Sequence, residues 1–319
     1  EITNHGLGNL QNSSVMALKA GTDMDMCSQG FVSTLEKSLA EGKVSIADID
    51  TACRRVLEAK YKLGLFKNPY KYLDASRRKR DIFTAQNRAI ARSLATESFV
   101  LLKNEGNILP LQKKGKIALI GPLANTRANM AGTWCVSYTP DKYSTLKEGL
   151  ERALAGKAQL LYAQGSNLTA DAALQKAAEF GKTIPRGDDQ KLKEEALKIA
   201  RQSDVIIAAM GECADMSGES SSRTNLDLPD VQMSLLRDLV ATGKPVVLLN
   251  FSGRATVLKW ESEHVNAIIN VWFGGSEAAD AISDVLFGDV NPSGKLTVSM
   301  PQVTGQEPLY YNHLPTGRP

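Results

Sequence analysis

Three carboxylates crowd one polar segment of the chain. Glu212, Asp215 and Glu219 all fall within Gly211-Glu212-Cys213-Ala214-Asp215-Met216-Ser217-Gly218-Glu219-Ser220-Ser221-Ser222-Arg223-Thr224, directly after the apolar run of residues 205–210. Each has the chemistry of a general acid or base, and Arg223 is a cation able to pair with one of them. A polar loop at the carboxyl end of a buried strand is where open α/β sheets keep their functional groups. The same side chains would also serve simply to solvate a long loop, and composition does not choose between these readings. Trp134, one of three tryptophans, stands in Gly132-Thr133-Trp134. It can stack on the apolar face of a sugar ring or plug a gap between loop and helix. Trp272 and Phe273 precede Gly274-Gly275 and read as packing residues ahead of a tight turn.

The elements that must carry these residues follow from periodicity. Short β-rich runs at 117–121, 159–163, 205–210, 246–251, 267–272 and 296–300 alternate with helical stretches at 144–154, 192–203, 231–242 and 276–287. That alternation predicts an α/β fold, an open and mostly parallel sheet with helices on both faces. Ligands of such sheets sit beyond the strands' carboxyl ends, so chemistry is expected after Gly121, after Met210 and after Trp272. The first 64 residues differ. Phe31, Leu35 and Leu39 share one helical face, Ser45-Ile46-Ala47-Asp48 has the form of a capping box, and the helix it opens stops at Gly64. Residues 21–26 alternate polar and apolar in strand fashion, but one strand cannot close a sheet. Residues 65–84, with Asn68-Pro69 and Arg77-Arg78-Lys79-Arg80, read as a linker. A long helix is predicted over about 85–102. Residues 85–319 can therefore make a complete α/β domain, whereas 1–64 read as the tail of something larger.

Several function classes are disfavoured. Lys+Arg 38 against Asp+Glu 35 leaves a net charge of only +3, and the single basic cluster reads as a solvated linker, so no nucleic-acid partner is implied. No apolar run approaches the ~18 residues of a membrane span. Gly121-Pro122-Leu123-Ala124 lacks the glycine fingerprint of dinucleotide binding, no P-loop or G-x-S-x-G elbow is present, and no cofactor is expected. Four scattered cysteines and three histidines do not suggest a metal site. The chain starts Glu1-Ile2-Thr3-Asn4, with no Met and no targeting segment of its own.

The remaining signal is a series of segments in a fixed order. Ala20-Gly21-Thr22-Asp23-Met24-Asp25-Met26, Ala59-Lys60-Tyr61-Lys62-Leu63-Gly64-Leu65-Phe66 and Glu97-Ser98-Phe99-Val100-Leu101-Leu102-Lys103-Asn104 come first. Leu109-Pro110-Leu111, Ile120-Gly121-Pro122, Ser222-Arg223-Thr224 and Gly288-Asp289-Val290-Asn291-Pro292-Ser293-Gly294-Lys295-Leu296 follow. Together they resemble glycoside hydrolase family 3, in its bacterial periplasmic β-glucosidase branch. The resemblance implies a (β/α)8-type barrel, a linker and an α/β/α sandwich. Residues 1–64 would be the C-terminal remnant of the barrel, 65–84 the linker and 85–319 the sandwich. A whole barrel takes ~250 residues, so most of it would lie outside this chain.

By the same resemblance the reaction is hydrolysis of β-linked glucosides or oligosaccharides with retention, by two carboxylates ~5–5.5 Å apart. The nucleophilic aspartate would lie upstream of Glu1, on the barrel. Glu219 matches the family's general acid/base, a role that needs a carboxyl taken out of water by substrate and barrel. Trp134 matches an aromatic that lines the substrate pocket, and Met216 and Arg223 would shape it as substrate-binding residues. Asp23 and Asp25 would hold structure at the end of the barrel. The implied partners are the β-glucoside and the barrel of the same protein, the implied location is periplasmic or secreted, and these residues alone would be inactive. The alternative reading is a non-catalytic carbohydrate-binding or interaction module.

Overall fold

A computed structural model describes residues 3–135 and 139–314. The chain divides into two compact units, Glu1–Ile82 and Phe83–Pro319. The first contains α1 (Leu10–Lys19), α2 (Gly30–Ala40), α3 (Ile46–Lys62) and the short α4 (Arg77–Asp81). Leu18, Val44 and Ala52 form its small core, with Val15, Phe31, Leu35 and Ile49 packed against them. The capping box forms as its residue types require: the Asp48 amide donates to Ser45 Oγ at 3.2 Å, and the Ser45 amide to Asp48 Oδ2 at 2.9 Å. Residues 21–26 form no strand. Their alternation reflects local bonding instead, because Asp25 turns back to accept the Gly30 amide at 2.5 Å and so starts α2, while Asp23 pairs with Arg55 at 3.0 Å. The basic cluster is exposed, and two of its four residues are paired locally, Arg77 with Asp81 and Arg80 with Asp74 and Asp81.

The second unit is built on β1 (Val100–Asn104), β2 (Lys116–Ile120), β3 (Gln159–Ala163), β4 (Val205–Gly211), β5 (Val246–Phe251) and β6 (Ala267–Asn270). They form one six-stranded sheet in the order β1-β6-β5-β4-β2-β3. Only β1 runs antiparallel to its neighbour. The helices are α5 (Ala85–Ser98), α6 (Ala128–Ala131), α7 (Leu146–Leu154), α8 (Ala172–Ala177), α9 (Asp189–Gln202), α10 (Asp230–Ala241), α11 (Lys259–His264) and α12 (Ala278–Phe287). Alternate residues of each central strand feed two cores. Ile117, Leu119, Ile207, Val247 and Leu249 face Leu146, Leu150 and Ile282 of α7 and α12. Ala118, Ile120, Ile206, Ala208 and Leu248 face Ala196, Leu235 and Leu239 of α9 and α10. Burial on both faces explains why these strands read as continuous apolar runs. The fold is the expected α/β sandwich.

Two local expectations fail in this second unit. Residues 99–102 do not extend a helix. Phe99, fully buried, turns to extended backbone, and Val100–Asn104 pairs with β6 as the antiparallel edge strand. Gly294 makes the turn possible, since a Cβ there would lie 2.4 Å from the Phe99 carbonyl oxygen. Sheet pairing outweighs the helical period that Ala95 and Val100 continue. Residues 296–300 alternate like a strand but pair with none; Leu296 and Val298 are exposed, and Met300 reaches the second core.

The strand ends that bound the candidate loops are tightly approached. Gly121 follows β2 with φ +140°, and a Cβ there would sit 2.0 Å from the Ala209 carbonyl oxygen on β4. Gly121→Ala is therefore expected to destabilise the unit by about 3 kcal/mol or more, read as a lower urea midpoint at unchanged slope; an unshifted midpoint would contradict the close approach. A second prediction concerns Glu261 on α11, only 2% exposed. Burial first, then the nearby Asp227, pushes its carboxyl up to about 7 from 4.5, against its own amide and Arg237. The folded state thus favours the neutral acid. Its stabilisation is full below about pH 4.5 and is lost as pH rises to about 7. Relative to wild type, Glu261→Gln should gain on the order of 3 kcal/mol across that window. A difference that stays constant with pH would refute this assignment.

Candidate active site

The loop after β4 begins at a fully buried carboxylate. Glu212 receives Arg223 Nη1 at 2.5 Å, Arg254 Nε at 3.1 Å and Ser252 Oγ at 2.9 Å, so both of its oxygens are engaged. Its backbone continues the sheet, with the amide on the Phe251 carbonyl at 2.8 Å. Gln232 of α10 clamps the preceding residue from both sides, bonding the Gly211 amide and carbonyl at 2.8 and 2.9 Å. Asp215 is likewise committed. It accepts the backbone amides of Glu179, Phe180 and Gly181 at 2.8 to 2.9 Å, fastening the loop to the segment after α8. Cys213 lies buried beneath it, and burial together with Asp215 pushes its thiol up to about 12.

Glu219 is the exception. Among the described residues no side chain or amide pairs with its carboxylate, and it stands exposed at the crest of the loop. Gly218 (φ +107°) and Ser220 (φ +60°) flank it, both in left-handed backbone. A Cβ at Gly218 would meet Thr133 Cγ2 at 2.5 Å, so only glycine fits there, while Ser220 stores strain of about 1 kcal/mol or more. Two such residues thus flank one exposed glutamate.

Loops from neighbouring strands converge on this point. Thr133, after β2, donates to the carbonyls of Ala214 and Ser217. Asn129 of α6 accepts the Ala214 amide at 2.9 Å. The Gly275 amide, after β6, reaches the Met130 carbonyl at 2.8 Å. Trp134 is 73% exposed beside Thr133, so it fills no gap between loop and helix. Met216 is half-buried against the first core, and Arg223 is spent on Glu212 and the Asp227 carbonyl. A cavity of about 440 Å³ lies behind the loop, lined in part by Cys213, Asp215, Met216 and residues 220–223. A wider cleft of about 680 Å³ opens between α10 and α11, away from Glu219.

Sequence reasoning missed Arg254 and Ser252. Both follow β5, whose carboxyl end lies beside that of β4; Ser252-Gly253-Arg254, a polar triplet after a buried strand, was the available signal. Among the described residues no cluster of three or more His, Cys, Asp or Glu is placed to hold a metal ion, and no helix is long and apolar enough to cross a membrane.

Residues 99–318 match the family model described as the glycosyl hydrolase family 3 C-terminal domain. The chain belongs to glycosyl hydrolase family 3. It is 42% identical to a periplasmic β-glucosidase of Salmonella typhimurium, across all of this chain and 43% of that protein. A β-xylosidase of Formosa agariphila is 32% identical over 96% of this chain and 42% of its own length. Among solved structures, a β-glucosidase from Listeria innocua in complex with isofagomine superposes with a TM-score of 0.85 at 35% identity, covering all of this chain and 42% of that one. The family 3 chain thus spans less than half the length of these relatives, and carries the C-terminal domain of glycosidases of the β-glucosidase and β-xylosidase kind.

The loop geometry predicts which thiols of this family 3 chain react. Brief alkylation at pH 8 should modify the exposed Cys27 and Cys53 and spare Cys213 until the protein is unfolded. Peptide mapping reads the outcome, and native-state labelling of Cys213 at the rate of Cys27 would show that the loop does not hold as described.

Proposed function

We propose that this chain is part of a retaining, exo-acting β-glycosidase, β-glucosidase-like in its substrate, and that Glu219 is the general acid/base. One observation carries the reading. Of the three carboxylates after β4, Glu212 and Asp215 are engaged by structural partners, and Glu219 alone stands free at the carboxyl end of the sheet. The membership in a family of glycosidases, and the short span of the relatives that this chain covers, support the rest.

In this reading residues 1–64 complete a barrel whose greater part lies outside the chain, residues 65–84 link it to the sandwich, and residues 85–319 are the sandwich. The attacking aspartate belongs to that outer part. Attack on the anomeric carbon and protonation of the departing oxygen by Glu219 break the glycosidic bond and form a glycosyl ester. Glu219, now a carboxylate, then takes a proton from water as the water displaces the ester with net retention. Trp134 offers its free ring to the sugar. Met216 and Arg223 shape the pocket through the loop that they hold. Residues 1–319 by themselves supply one carboxylate of the pair and so would not hydrolyse a glycoside. The periplasmic relative supports an exported location.

The test uses the full-length gene product with Glu219→Ala and two aryl β-glucosides, one with a good and one with a poor leaving group. Losing the proton donor should slow the poor substrate by 10² or more beyond the good one, and azide should restore turnover by forming a β-glycosyl azide. Equal losses on both substrates, or none, would remove Glu219 from the role.

A further inference from the structure

Nothing in the family reading assigns a task to Arg254, yet its contacts bracket Glu219. Its Nη2 donates to the carbonyl of Met216, three residues before Glu219, and to that of Ser221, two residues after it, at 2.6 Å. One guanidinium therefore ties together both feet of the arch that carries the carboxylate. Its Nε holds Glu212 at 3.1 Å. Glu212 is itself fixed at the end of β4, and Ser252 Oγ bonds both that carboxylate, at 2.9 Å, and the Arg254 amide, at 3.1 Å. The loop's downstream end hangs on the same carboxylate through Arg223, whose second arm holds the Asp227 carbonyl at 3.0 Å.

We propose that Arg254, anchored on Glu212, is a positioning residue that sets where Glu219 is presented. The proposal rests on Glu219 being the proton donor. Arg254 touches no reacting atom. It acts through two backbone carbonyls, and its fork is required because two separate nitrogens are used, Nε for the Glu212 carboxylate and Nη2 for the carbonyls. A lysine ammonium at this position cannot hold Glu212 and straddle both carbonyls. Glu219 would then keep its identity but lose its registry with the glycosidic oxygen, and a displacement of about 1 Å can cost 10²-fold.

The experiment takes the full-length gene product as wild type, Glu219→Ala, Arg254→Lys and Glu212→Gln, with the same two aryl glucosides and thermal melting of each variant. The expected result for Arg254→Lys is a loss of about 10²-fold in kcat on the poor leaving group, less than about tenfold on the good one, and little change in KM. Hydrogen exchange of the amides at 218–221 should accelerate in the same variant. Glu212→Gln, which leaves the arginine but weakens its anchor, should move the same quantities in the same direction by less, and it decides the matter if Arg254→Lys fails to fold. Equal losses on both substrates that track melting temperature would reduce Arg254 to a structural residue and overturn the proposal. So would a wild-type leaving-group response in Arg254→Lys while Glu219→Ala shows the split. If Glu219→Ala itself shows no split, the acid/base reading fails first and the positioning role falls with it.

Discussion

A buried carboxylate shared by two guanidinium groups is the constraint on which the candidate site depends. Glu212 is wholly removed from water at the end of β4, and Arg223 and Arg254 are each only about one-fifth exposed. Taking these charges out of water costs several kcal/mol per ion, and their mutual attraction offsets this only when the remaining hydrogen bonds are satisfied. They are: Ser252 completes Glu212, and the free arms of the arginines find the carbonyls of Met216, Ser221 and Asp227. Removing Glu212 would leave both guanidinium groups without their carboxylate, at a cost of about 3–5 kcal/mol. The node is therefore weak as a source of net stability and strong as a source of definition.

The sheet explains why the node is where it is. Parallel neighbours β2, β4, β5 and β6 all end on the same side, so the loops that leave them must share one rim. Glycines at 121 and 211 let that rim close. At each, a Cβ would fall 2.0 Å from the carbonyl oxygen of an adjacent strand residue, Ala209 or Phe251. The two apolar cores hold the strands rigid beneath, and the loops above are tied by side chains to backbone, through Thr133, Asn129 and Asp215 as well as the arginines. Rigid strands below and cross-braced loops above leave one of the three carboxylates after β4, Glu219, without a side-chain partner among the described residues.

Much of this was legible in the residues. The alternation of apolar runs with helical stretches predicts the sandwich because strands buried on two faces have no polar side to show, and Ser45 with Asp48 predicts a helix start that forms as written. The failures share a cause. Val100–Asn104 and residues 296–300 carry similar short apolar patterns, and what separates them is whether β6 or nothing lies alongside, which no local window contains. The site was legible to the level of a loop. Glu212, Asp215 and Glu219 are equivalent in composition; the family resemblance singles out Glu219, and three-dimensional partners separate two engaged carboxylates from a free one. The polar triplet around Arg254 is visible after a buried strand, but its pairing with Glu212, 42 positions away in the chain, is not.

The distance between two carboxyl groups tests the central claim most directly. A crystal structure of the full-length gene product with a cationic sugar mimic in the pocket would give the separation between Glu219 and the carboxylate on the opposite face of the ring. The expected separation is about 5–5.5 Å, the spacing of a retaining pair. A separation of about 6.5 Å or more, or Glu212 or Asp215 nearer to the glycosidic oxygen than Glu219, would contradict it.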